Sequence, residues 1–122
     1  MRSVYKELLV IRILLADDHK IVRNGLRALL EKQSDLSVVG EAKNGREAVR
    51  LATELSAHIT IMDIGMPDLN GIDATRQILA ANPSAKVIAL SMQSDGPIVR
   101  RMFQAGARAY LLKDCAGDDL IR

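Results

Sequence analysis

The chain predicts an α/β domain built on a parallel sheet with helices on both faces. Three observations carry this. Strand-like and helix-like segments alternate along the whole chain, which is the order of a parallel α/β sheet. Several strand-like segments are continuous apolar runs, as expected of strands buried on both faces. Two of those runs stop at carboxylates: Val10 to Ala16 at Asp17-Asp18, and Ile59 to Met62 at Asp63.

The elements follow in order. The first strand is predicted at 9–16. A helix follows at 19–32, where Val22, Leu26, Leu29 and Leu30 form one apolar stripe. The second strand is 36–41. A helix starting near Asn44-Gly45 turns Ala48, Leu51, Ala52 and Leu55 to one side. The third strand is 58–62, and a turn rich in Gly65, Pro67, Asn70 and Gly71 leads out of it. The third helix covers 71–81 with Ile72, Ile78 and Leu79 inward. Asn82-Pro83 ends it, because a residue before proline disfavours the helical region. The fourth strand is 86–90. The fourth helix is 96–105, with Pro97 in its first turn and Gly106 as its cap. The fifth strand is 109–112. A fifth helix begins near Ala116-Gly117-Asp118, and Arg122 leaves it about six residues, too few for stability alone. The chain thus reads as part of a longer protein, or as one whose last helix a partner completes. Right-handed crossovers leave few ways to connect five such units.

With 122 residues, the chain fits one domain with a real core. Residues 1–8 read as an N-terminal extension and 9–122 as the domain. Aromatics are 2% of residues, so the core must be aliphatic. The formal charge of +2 is mild, and no basic stripe carries stacking aromatics, so composition points away from a nucleic-acid surface. A single cysteine, Cys115, excludes an internal disulfide and fits a reducing compartment. No apolar run approaches the roughly 20 residues that span a membrane. These features describe a cytoplasmic domain.

In open α/β sheets, ligands bind at the carboxyl edge of the strands. Asp17, Asp18 and Asp63 are all predicted there, where their mutual repulsion calls for a cation. Oxygen ligands with room for water favour magnesium over zinc. Neither His19 nor His58 makes the site rich in nitrogen, and each reads as structural or exposed. Magnesium beside an aspartate suggests phosphoryl chemistry, since a carboxylate can attack phosphorus and form an acyl phosphate. The fourth strand leads to Ser91, a hydroxyl, and the fifth to Lys113, a point charge for a phosphate. Capping by Asp17 or Asp18 is the plainer alternative, as are a strand-end role for Ser91, edge packing for Tyr110 and a solvated role for Lys113. Met62, Met66, Met92 and Met102 read as core filler.

From Ile11 to Lys113 the chain resembles the receiver domain of two-component response regulators. The resemblance rests on ADDH (16–19), MDIGMPDLNG (62–71), ALS (89–91) and GARAYLLKD (106–114). LLADDH, LSM and YLLKD are similar to the LuxR/FixJ/NarL-like group, whose receiver precedes a helix-turn-helix DNA-binding domain. The resemblance implies a flavodoxin-like (CheY-like) five-stranded sheet of order 2-1-3-4-5, with the fifth helix truncated here. It implies Asp63 as phosphoacceptor, and Asp17, Asp18, Asp63 and the Gly65 carbonyl as the magnesium site. Ser91 and Lys113 would bind the phosphoryl group, and Tyr110 would be the switch aromatic. A sensor histidine kinase would be the donor and a homodimer the active state, with DNA reached only through a domain beyond this chain. Asp114 departs from the family's frequent proline after the lysine, where a cis bond without proline costs about 2.5–4 kcal/mol. Gly65 offers no side chain to steer water. Three rivals are weaker. An aspartyl phosphatase needs an acid at position 65. A mononucleotide binder needs a phosphate loop where Asp17-Asp18 stand. A module that is never phosphorylated would not need the acidic set.

Overall fold

The computed structural model describes residues 10–91 and 96–113. Five strands, β1 (Ile11–Ala16), β2 (Leu36–Ala42), β3 (Ile59–Asp63), β4 (Lys86–Ser91) and β5 (Ala109–Leu112), form one parallel sheet in the order β2-β1-β3-β4-β5. Between them run α1 (Lys20–Leu30), α2 (Gly45–Glu54), α3 (Gly71–Ala81) and α4 (Gly96–Gln104). The expected flavodoxin-like architecture is present. The predicted fifth helix, Cys115, Met92, the Lys113–Asp114 peptide and residues 1–8 lie outside the described residues. No helix among the described residues is long and apolar enough to cross a membrane.

Strand alternation divides the core. Ala16, Met62, Val87 and Ala89 face a layer that includes Ala48, Ile72, Ile78 and Met102 of α2, α3 and α4. Ile13, Leu15, Ile61 and Leu90 face Leu26 and Leu30 of α1. Met62, Met66 and Met102 are buried filler, as the sequence suggests. The α1 stripe needs one correction. Leu29 is exposed, and Arg23 takes its place on the buried face with Leu26 and Leu30.

Local chemistry sets the helix ends. Asn44 accepts from Glu47 N at 2.8 Å and caps α2; Asn70 accepts from Asp73 N at 2.9 Å and caps α3. Asn82, before Pro83, is extended at φ −145° and stops α3. Gly106 closes α4 at φ +113°, where a side chain would be strained.

Two glycines invite opposite predictions. Gly25 sits mid-α1 on the exposed face, and a Cβ there would meet nothing within 4 Å. Gly25→Ala should raise stability by about 0.5–1 kcal/mol, read as a higher urea midpoint at unchanged m-value. A Cβ on Gly71 would collide with the carbonyl of Asp63. Gly71→Ala should lower stability by about 2–3 kcal/mol, read by thermal melting, because backbone must move to admit the methyl. A melting point equal to the parent's would remove that steric argument.

Candidate functional site

The carboxyl edge of the sheet gathers the predicted polar residues. Asp17 follows β1, its N–H bonding Ala42 O at 3.0 Å, and is 1% exposed. Asp63 is the last residue of β3 and is 5% exposed. Burial forces an acid at the end of a central strand into low-dielectric surroundings, where a charge needs a partner. Lys113 supplies one. Its Nζ lies 3.0 Å from Asp17 Oδ2 and 3.3 Å from Asp63 Oδ2. Lys113 is held there because its backbone N–H donates to Ser91 O at 2.9 Å, continuing the β4–β5 pairing.

Asp18 completes the acidic group, so the capping alternative fails. The α1 N-cap is His19, which makes no side-chain cap bond. Asp17 Oδ1 instead accepts from His19 N at 2.8 Å. His19 is exposed, as expected, but its ring stands beside this group. Its side chain is 61% exposed, yet Nδ1 lies 2.9 Å from Asp17 Oδ1 and 3.1 Å from Asp18 Oδ1. The same nitrogen is 3.3 Å from Lys113 Nζ. One nitrogen cannot donate to the carboxylates and accept from the ammonium at once, so the tautomer decides which contact is a hydrogen bond. Its place directly after the acidic pair was the signal available. His58 is structural, with Nδ1 accepting from Arg12 N at 2.9 Å.

Ligand atoms of Asp17, Asp18, His19 and Asp63 all lie within 4.8 Å of one another, close to the span of one ion's coordination shell. Asp17 Oδ2 is buried and makes no directed hydrogen bond, its ion pair with Lys113 notwithstanding. A hard, oxygen-seeking divalent cation fits such a set. Electrostatics agree. Burial, then the Asp17 charge, push the Asp63 carboxyl above its ordinary value, while Lys113 pulls it down less strongly. Burial lowers the Lys113 ammonium, but Asp17 and Asp63 outweigh that and leave it raised.

Ser91 and Gly65 join His19, Asp63, Ile64, Ile98 and Lys113 around an open cavity of about 290 Å³. Gly65 N donates to Asp63 Oδ1 at 3.4 Å. Tyr110 is half-buried and packs against the α2–α4 side of the core. A larger hollow, about 520 Å³, opens at the opposite edge of the sheet beside Ser56, His58 and Lys86, and no carboxylate lines it.

The family profile described as the response regulator receiver domain matches residues 13–122. The chain belongs to that family. This receiver domain is 48% identical over 104 residues to the transcriptional regulatory protein LiaR of Bacillus subtilis (strain 168), covering 85% of this chain and 49% of LiaR. It spans about half the length of the curated relatives it matches. Among solved structures, a LuxR-family two-component response regulator from Aurantimonas sp. SI85-9A1 superposes with a TM-score of 0.86 at 37% identity, covering 92% of this chain and 80% of that one. The isolated receiver domain of RcsB from Salmonella enterica serovar Typhimurium, solved with the phosphomimetic BeF3−, superposes at 0.84 with 30% identity, covering 92% and 83%. The receiver family is a signalling switch rather than a turnover enzyme, and the relatives of this receiver domain are transcriptional regulators of the LuxR/NarL group.

Proposed function

We propose that this receiver domain is a phosphorylation-activated switch in which Asp63 takes a phosphoryl group from a sensor histidine kinase. The observation that carries the reading is Asp63 itself. It is a carboxylate buried at the tip of a central strand, paired with Lys113 at 3.3 Å and opening onto the Ser91-lined cavity. In the transfer, an Asp63 oxygen attacks phosphorus in line with the donor's phosphorus–nitrogen bond. The oxygen–phosphorus bond forms as that bond breaks, the electron pair leaves with the imidazole, and solvent protonates the nitrogen. Asp63 must be ionised to attack. Asp17, Asp18, Asp63 and the Gly65 carbonyl would hold magnesium, which would supply positive charge to the phosphoryl oxygens.

Lys113 then exchanges its carboxylate partners for a phosphoryl oxygen, and the Ser91 hydroxyl donates to another. Drawing Ser91 inward lets Tyr110 follow, so that α4 and β5 shift between two populations. The readout is homodimerisation and control of a helix-turn-helix DNA-binding domain elsewhere in a longer cytoplasmic protein. The test is intact mass after incubation with acetyl phosphate, with and without magnesium, for the parent chain and for Asp63→Asn.

A further inference from the structure

We propose that Arg23 is a positioning residue for the acidic pair, and that it tunes the site's divalent-cation affinity by holding the Asp17–Asp18 peptide. The inference rests on the reading of Asp17 and Asp18 as metal-binding residues.

Arg23 occupies an unusual place. It lies on the inner face of α1 with Leu26 and Leu30 and is 6% exposed, where an aliphatic residue would be ordinary. Its guanidinium makes two directed bonds. Nη1 donates to the carbonyl of Asp17 at 2.7 Å, and Nε donates to Glu41 Oε1 at 2.8 Å. The other Glu41 oxygen takes Arg27 Nε at 2.8 Å. Burial alone would raise the Glu41 carboxyl, but the two arginines outweigh it and leave it lowered, so Glu41 is a charged anchor. Buried ion pairs seldom stabilise more than apolar residues of the same size. A contribution to folding therefore explains the charge poorly, whereas a geometric role explains it directly.

The backbone supports that role. Asp17 N still belongs to the sheet through Ala42 O, while the Asp17 carbonyl has left the ladder and points to Arg23. The guanidinium thus grips the peptide that joins the two acids. Were that carbonyl free, the peptide plane could turn and carry the Asp18 carboxylate away from Asp63.

Strand register completes the device. Ile13 pairs with Val38, but Leu14 pairs with Gly40, so β2 carries one extra residue there. In a regular ladder Leu15 would face Gly40 and Glu41 would turn to the opposite side. The shift pairs Leu15 with Glu41 and delivers the carboxylate to α1.

The experiment measures divalent-cation affinity directly. Mn2+ is titrated and its free ion counted by electron paramagnetic resonance, with Mg2+ as competitor, at a temperature where circular dichroism shows each protein folded. Arg23→Met should bind about tenfold more weakly, within the range for residues that orient metal ligands. Arg23→Lys, which keeps the charge but not the fork, should fall between Met and the parent. Binding by Arg23→Met within about threefold of the parent overturns the proposal. If Arg23→Met does not fold, Arg23→Gln, which also lacks the guanidinium charge, is measured against the same threefold limit. The parent is the control for the underlying reading. A parent that binds neither ion removes the metal site itself, whereas a parent that binds beside an unaffected Arg23 variant removes only the role of Arg23.

Discussion

Asp63→Asn should abolish phosphoryl uptake. With acetyl phosphate and magnesium the parent chain should gain about 80 Da, the mass of one phosphoryl group, and the variant nothing. The amide keeps the shape of the carboxylate and loses the nucleophilic oxygen. Chelating magnesium should cancel the parent's gain as well. A gain that survives in Asp63→Asn would move the acceptor elsewhere and sink the reading. The same variant carries a stability signature. The Asp63 carboxyl is raised by burial and by Asp17, so the folded state binds its proton more tightly than the unfolded chain does. Stability from this group therefore falls as pH rises from its ordinary value of 3.8 through the raised value, and stays lost above it. Without divalent ions, Asp63→Asn should melt above the parent at pH 8, and the gap should close at acid pH. An equal gap at both pH values would contradict the electrostatic account.

Lys113→Met should destabilise the domain, weaken phosphoryl uptake and tighten magnesium binding. In the absence of metal the ammonium is the cation set between buried Asp17 and Asp63. Removing one partner from a buried ion pair costs about 3–5 kcal/mol, an upper bound here because the carboxylates can take up protons. The raised Lys113 contributes fully below its unfolded value of 10.5 and loses its contribution only as pH rises through the higher folded value. The loss in the variant should thus be complete at pH 7–8 and shrink toward acid pH, where the carboxylates are neutral. The ammonium and a bound metal ion would compete for the same oxygens, so magnesium should bind the variant more tightly. Phosphoryl uptake should nevertheless fall, since the phosphoryl group loses its point charge. Thermal melts at several pH values and a magnesium titration check all three effects. Magnesium binding weaker than in the parent would show that Lys113 orders the site rather than competing for it.

Much of this arrangement was legible in the residues. The alternation of apolar runs and helical stripes is local, so the element order followed from it, with ends moving by a residue or two. The apolar run places Asp63 just beyond the third strand, and it is that strand's last residue. His19 is exposed, as the sequence suggests, and its ring stands against both acids and Lys113. Its place after the acidic pair puts it near the site, but the direction of the ring depends on the fold. Periodicity places Leu29 on the buried stripe, yet it is exposed. A helical stripe is broad enough to admit either residue, and the buried place went to Arg23 because its guanidinium found Asp17 O and Glu41.

The sequence by itself determined the class of fold, the elements and the edge of the sheet where the acidic residues gather. Periodicity, proline and glycine placement and charged strand ends are short-range signals, readable wherever they stand. Only the tertiary structure decided which polar atoms meet. The bond between Arg23 and Glu41 spans 18 residues and the contact between Lys113 and His19 spans 94. Each depends on strand register, helix rotation and a one-residue shift in β2 that turns Glu41 toward α1. Such a shift reverses the facing of every residue after it, and its position is set by packing between strands rather than by any residue alone.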